Sequence, residues 1–234
     1  MKHLCLSLFL CLSALNTVTA QSGRFSFGIS MAPTITGNIL TADKSLAPFV
    51  VEAYRNLEKT RLGFTGYLSA EYRLGSRSIL QFGLGYSLTG YKSDKIGLQF
   101  PTPNPVDPTY AQYTDSYKDV FIPLSYRYYL TQKRHRWFVS GGLAPTVKIS
   151  RQTTMKLWYA DGSTEKKTED ISGVDLRKVN LIGLIGTGVD FALTDHLHVL
   201  FQPTFQYAFF GIAKDASLNR HPWAVGAGVV LVKQ

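Results

Sequence analysis

LGFTGYLSAEYRLGSRSILQFGLGYSLTGY, residues 62–91, decides the fold. Along its first arm Leu62, Phe64, Gly66, Leu68, Ala70, Tyr72 and Leu74 share one parity, and Gly63, Thr65, Tyr67, Ser69, Glu71 and Arg73 the other. Side chains of a strand alternate between its faces, so this arm has one apolar face and one polar face. After Gly75, Ser76 and Arg77 the alternation resumes, with Leu80, Phe82, Leu84, Tyr86 and Leu88 against Gln81, Gly83, Gly85, Ser87 and Thr89. Each arm runs about 13 residues, against roughly 5 to 6 for a strand of a soluble sheet and roughly 9 to 11 for a tilted strand crossing a bilayer. Arms of this length predict a membrane barrel.

The same alternation recurs along the chain and gives eight strands, at residues 24–33, 62–74, 79–91, 120–130, 136–149, 179–191, 197–209 and 223–232. An even number of antiparallel strands can close without an exposed edge. The connections after the second, fourth and sixth strands are short, around Ser76, Lys133 and Thr194; those after the first, third, fifth and seventh are long, centred near Ala47, Pro105, Asp161 and Asp215. Short turns at one end and long loops at the other predict an all-β, closed, eight-stranded antiparallel transmembrane barrel with periplasmic termini.

The parity expected to face lipid carries Phe25, Phe27 and Ile29 in the first strand, Val120, Ile122 and Leu124 in the fourth, and Val225, Ala227 and Val229 in the last. Aromatics on it gather toward strand ends. Phe25, Tyr72, Phe82, Tyr128, Trp137 and Phe191 are expected to form a periplasmic girdle, and Phe64, Phe205, Tyr207, Phe209 and Trp223 an outer one, where amphipathic rings suit the interface.

Pro123, Pro145 and Pro203 fall inside these strands, where each removes a ladder hydrogen bond. Pro33-Thr34-Ile35, Pro145-Thr146-Val147 and Pro203-Thr204-Phe205 repeat one signature in three ascending strands with the proline on the lipid parity, which predicts bulges or locally broken pairing in the outer half. Among the loops, Leu46, Phe49, Val50, Ala53, Tyr54 and Leu57 keep helical spacing, so the first is expected to hold an amphipathic helix on the barrel rim. The second, with Pro101, Pro103, Pro105 and Pro108, is expected to be irregular. In the third, Ala160-Asp161-Gly162-Ser163 separates 155–159 from 164–168 as the turn of a hairpin that offers an edge to a partner.

Residues 1–20 have the form of a secretory leader: Lys2 gives a positive start, 4–15 an apolar run, and Val18-Thr19-Ala20 a small-residue site before Gln21. A lipoprotein signal ending at Cys11 is the competing reading, and Leu10 before that cysteine is too large for it. The domains expected are therefore a leader at 1–20 and a barrel at 21–234. Both cysteines lie in the leader, which excludes disulfide and thiolate chemistry from the mature chain. Net charge is +9, one less without Lys2. The bases are scattered, fitting solvated loops or the phosphates of an anionic lipid surface and not nucleic acid.

The polar parity directs Glu71, Arg73, Arg127, Lys148 and Asp190 inward. Inside eight strands there is little room for water, so Glu71, Arg73, Arg127 and Asp190 are expected to pair in one network that fills the lumen near the periplasmic ends. His135, His196 and His198 fall in or beside periplasmic turns; His221 with Ser217 and Asp215 in the last loop is a conceivable hydrolase set, weighed against ordinary solvated polar groups. No metal spacing, phosphate-cradling loop or dinucleotide fingerprint occurs, so no cofactor and no catalysis are expected.

Residues 120–130, VFIPLSYRYYL, resemble the Ile-Pro-Leu strand, ending in aromatics, of the PorT-like outer-membrane β-barrel family, and Gly83-Leu84-Gly85-Tyr86 resembles it too. The similarity extends over most of the mature chain and implies a barrel in the outer membrane of a Gram-negative envelope; members are mostly uncharacterised, with a few tied to protein secretion. The last strand resembles a barrel-assembly signal through Gly226, Val229 and Leu231, but ends in Lys233 and Gln234 where that signal has an aromatic. The expected role is structural or an interaction through the long loops, with outer-membrane lipid and a loop-bound protein as partners. Its alternatives are a narrow pore or secretion component, and a secreted lipocalin-like ligand-binding barrel with its apolar face turned inward.

Overall fold

The computed structural model describes residues 24–101, 104, 106–132, 135–170, 176–214 and 216–233. The expected leader and the loop centres Lys133, Pro105 and Asp215, with Pro103, lie outside the described residues. In chain order the elements are β1 (Phe25–Ala42), α1 (Pro48–Leu57), β2 (Glu58–Lys59), β3 (Arg61–Arg73), β4 (Ser78–Ser93), β5 (Ile96–Gly97), β6 (Pro108–Phe121), β7 (Leu124–Tyr129), β8 (His135–Tyr159), β9 (Thr164–Asp170), β10 (Val179–Ala192), β11 (Leu197–Ala208) and β12 (Leu218–Lys233).

All ladders are antiparallel. They run from β1 to β3, to β4, to β6 and β7 together, to β8, β10, β11 and β12, and from β12 back to β1. β6 and β7 fill one position of this ring, because register is unchanged across the break between them: Gly85 faces Phe121 and Phe82 faces Leu124 on β4, while Thr146 faces Phe121 and Leu143 faces Leu124 on β8. Each long strand is therefore hydrogen-bonded on both edges.

The two faces divide as the alternation requires. Phe27, Met31, Ile35, Leu62, Leu68, Leu84, Ile122, Val139, Ile185 and Val229 are exposed on the outside, while Ser30, Thr34, Thr65, Ser69, Gln81 and Gln202 are buried within. A lipocalin-like barrel needs the opposite arrangement, so that alternative is not supported by this surface. Among the described residues no helix is long and apolar enough to cross a membrane.

Several strands exceed their expected limits. β1 continues to Ala42, β8 to Tyr159, β12 begins at Leu218, and β6 begins at Pro108 inside the loop expected to be irregular. The extra lengths pair with one another, β6 with β8 from Pro108 to Lys118 and β9 with β8 from Thr164 to Asp170, so a sheet stands above the ring. The third-loop hairpin is present, with Gly162 at φ 84° in its turn. Half-buried Glu165 accepts a hydrogen bond from Tyr159 Oη at 2.7 Å, which holds its carboxyl below the ordinary range.

The prolines break pairing without shifting register. β1 keeps Pro33 opposite Phe64 on β3, but its β12 ladder skips from Met31 to Thr34 with the register intact; β10 and β11 likewise skip beside Pro203. Backbone groups of an antiparallel strand point alternately to its two neighbours, so a proline costs one bond on one side. Across the interruption at Pro123, Ile122 N–H still donates to Pro145 O at 3.0 Å. Register shifts elsewhere: on β6 and β8 Lys118 faces Ser150 while Asp119 faces Lys148, which leaves Ile149 as the extra residue, and a second shift falls between Pro108 and Tyr110.

Candidate functional site

Three layers occupy the interior. The lowest begins with Glu71 on β3 and Arg127 on β7, both about 1% exposed, with Arg127 Nη1 3.0 Å from Glu71 Oε1. Gln81 donates from Nε2 to Glu71 Oε1 at 3.4 Å, and its Oε1 accepts from Ser125 Oγ at 3.0 Å. The Phe138 ring lies 5.0 Å from the Arg127 guanidinium, covering a cation whose Nε and Nη2 have no hydrogen-bond partner. Beside this pair Asp190 on β10 takes Arg136 Nη2 at 2.6 Å, Tyr129 Oη at 2.7 Å and His198 Nδ1 at 2.8 Å. Ile79, Tyr129, Phe138, Leu200, Val230 and Val232 pack around these groups as an apolar cluster.

Of the residues expected here, Glu71, Arg127 and Asp190 thus lie in two adjoining ion pairs. Arg73 is half-buried at the end of β3, outside the contacts just described. His198, expected at a turn, is 7% exposed and part of the layer, and Arg136 and Tyr129 join it. Strand register makes the difference: Asp190 faces Arg136 across β8–β10, and His198 lies on β11 two pairs from Leu200, which faces Asp190, and so shares its parity.

The middle layer is a cavity of about 40 Å³ lined by Ser30, Thr65, Tyr67, Gln81, Ser125 and Gln202. Room for a few waters is what such a volume allows.

The upper layer is a second set of paired charges. Arg151 Nη2 meets Asp115 Oδ2 at 2.9 Å, Thr153 Oγ1 donates to Asp115 Oδ1 at 2.6 Å, and fully buried Tyr117 lies beneath the Arg151 and Lys148 cations. Arg220 Nε meets Glu58 Oε1 at 2.7 Å, and Asn38 Nδ2 donates to Glu58 Oε2 at 3.1 Å. Above the start of β3, β4 leans against β1, with Thr36 Oγ1 donating to Gly90 O at 2.7 Å. Gly90 has φ 143°, and a Cβ there would stand 2.0 Å from Asp115 O.

The aromatics expected at the interfaces lie as follows. Phe25, Phe82, Tyr128, Trp137, Phe191, Phe64, Phe205 and Phe209 are exposed on the outward face. Tyr72, Tyr207 and Trp223 are half-buried. Tyr72 packs on Phe25 at 4.9 Å between centroids, Tyr207 stacks on His221 at 6.0 Å, and the Trp223 ring covers Gly37. Helix α1 has no buried residue: of the face expected to rest on the rim, Val50 and Leu57, with Leu46 before the helix, are half-buried, and Phe49, Ala53 and Tyr54 are exposed.

The conceivable hydrolase set is not assembled in the described residues. His221 Nε2 lies 3.1 Å from Thr41 Oγ1 and its Nδ1 3.2 Å from Ala208 O, which engages both ring nitrogens away from Ser217, and Asp215 lies outside them. No group of His, Cys, Asp and Glu fit to hold a metal occurs among the described residues.

Residues 19–214 match the family described as outer membrane protein beta-barrel domain, and the chain belongs to that family. No curated protein matches the chain. Among solved structures it is similar to Neisserial surface protein A, at 17% identity with a TM-score of 0.43 over 88% of this chain and 95% of that one. It is similar too to the outer membrane protein OprG from Pseudomonas aeruginosa, at 12% identity and a TM-score of 0.42 over 91% and 97%. A third is the outer membrane protease OmpT from Escherichia coli, at 8% identity and a TM-score of 0.41 over 93% and 98%. The protein is an integral outer-membrane protein of the β-barrel kind, in contact with outer-membrane lipid.

Proposed function

We propose that this family member is a closed eight-stranded barrel with a plugged lumen, which serves the envelope as a structural element or through its outer loops and performs no catalysis. One observation carries the reading: an apolar exterior encloses an interior in which Arg127, Arg136, Arg151 and Arg220 each have their own carboxylate. Buried ions paired in this way fill space and fix register, and a carboxylate held by its own arginine is not free to act as a base. The sheet of β6, β8 and β9 above the ring is the surface we assign to a protein partner. The leader at 1–20 and the girdle roles of the aromatics belong to the same proposal.

A place in protein secretion is the second reading, favoured by the PorT-like strand at 120–130 and its interruption at Pro123. Folded mature protein is expected to migrate faster unheated than boiled on a detergent gel and to fractionate with the outer membrane, its sequence starting at Gln21. A single mobility with recovery in the aqueous fraction would overturn the closed barrel. Impaired export of a secreted reporter in a deletion strain would move the assignment to the second reading.

A further inference from the structure

A pocket of about 30 Å³ opens in the outer half of the lumen, above the cavity of the middle layer. One row of polar residues crosses it. Ser87 on β4 faces Asp119 on β6, Asp119 faces Lys148 on β8, and Lys148 N–H donates to Lys178 O at 2.8 Å just before β10. All four line the pocket, together with Arg177 and Gln206.

The charge there is out of balance. Three cations, Lys148, Arg177 and Lys178, stand around one carboxylate, Asp119. Every other arginine described above in the lumen has a carboxylate within 3.0 Å. Arg177 has no salt-bridge partner among the described residues; its guanidinium lies 5.2 Å from the exposed Phe210 ring and its Nε is buried without a hydrogen-bond partner. Ser87, 1% exposed, is a second orphan: its Oγ is buried and unpartnered in the pocket wall. Unpaired buried donors are costly; those of Arg127 lie against the Phe138 ring, whereas these two border a cavity that water or an ion can enter. Two orphaned donor groups and surplus positive charge call for an acceptor that carries negative charge.

We propose that this pocket binds an oxyanion, the phosphate group of a small free anion or of a phosphorylated sugar in the outer-leaflet headgroup layer, between Lys148, Arg177 and the Ser87 hydroxyl. The volume suits one tetrahedral head in place of about two waters, with the rest of a larger molecule left at the mouth. Asp119 opposes the anion and so limits affinity; Lys178, at the exposed rim, steers it inward.

Detergent-folded full-length barrel is titrated with inorganic phosphate, with a hexose 1-phosphate and with the uncharged hexose, following heat by calorimetry at low and high salt. The phosphates are expected to bind with dissociation constants of about 1 mM or tighter, weakening with salt, and the hexose not at all. Binding of both phosphates with equal affinity assigns a free anion; tighter binding of the hexose phosphate assigns the headgroup sugar. Lys148→Gln with Arg177→Gln is expected to weaken binding by about tenfold or more, whereas Asp119→Asn tightens it, with unchanged heat-modifiable mobility in both. Absence of phosphate binding in the wild type at about 10 mM would overturn the site, as would equal binding by the doubly neutralised barrel. The opposite signs expected of the two variants separate a ligand site from a merely structural charge cluster.

Discussion

At the scale of single residues the interior is governed by the cost of an unpaired charge. Arg127 and Glu71 are both almost wholly buried at 3.0 Å from each other, so removing one strands the other. Arg127→Leu is expected to lower stability by about 3–5 kcal/mol, seen as a lower urea midpoint in lipid-refolded barrel, because Glu71 is then left buried without its partner. Glu71→Leu with Arg127→Leu is expected to recover much of that loss, since two apolar groups leave no stranded ion. A single variant as stable as the wild type would dismiss the pair as a stabilising contact. Glu71, Arg127 and Asp190 were legible in the sequence, because a charge on the inward parity of a narrow ring must be buried. Their partners were not: Arg136, Tyr129 and His198 reach Asp190 from three different strands, and only register across β7, β8, β10 and β11 brings them together. His198 shows the limit of reading by turn position, since it is the second residue of β11 and is buried on the inward face.

Among the elements, the ones legible from alternation are those with contrast between their faces. β3, β4, β10 and β11 keep nearly their expected limits, while β6, β8 and β12 run well beyond them. Above the apolar belt both faces of β6 and β8 carry Thr, Gln, Lys and Tyr, so pairing continues there while the pattern that announces it does not. Edge protection is written in β9 instead: Glu165, Lys166, Lys167, Glu169 and Asp170 put charge along a seven-residue strand whose described partner is β8 alone. That edge disfavours strand addition, and a partner is expected to meet the face of this sheet. Gly90 is the element-scale device that sequence could not reveal. It lets β4 bend onto β1 at φ 143°, where an added Cβ would meet Asp115 O at 2.0 Å. Gly90→Ala is expected to cost about 1–3 kcal/mol and to speed proteolysis of the outer loops while the lower ring stays heat-modifiable. Protease resistance equal to the wild type would show that the lean of β4 does not depend on this residue.

For the molecule as a whole, the arrangement of layers decides whether anything passes through it. The lower layer of Glu71, Arg127 and Asp190 and the upper closure of Glu58, Arg220, Asp115 and Arg151 lie in series, with a cavity of about 40 Å³ between them. A path must be continuous to conduct, so under the proposed plugged lumen either layer alone suffices to block it. The wild-type barrel in a planar bilayer is therefore expected to carry no steady current, and so is the barrel with both Glu71 and Arg127 replaced by Ala, because the upper closure is untouched. Adding Arg220→Ala and Arg151→Ala to that variant removes a group from each seal, and single-channel current is expected only then. Steady current through the wild type would favour the narrow-pore role over the structural one. Current from the lower-layer variant alone would place the seal entirely at the periplasmic end, leaving the outer pocket open to the lumen beneath it.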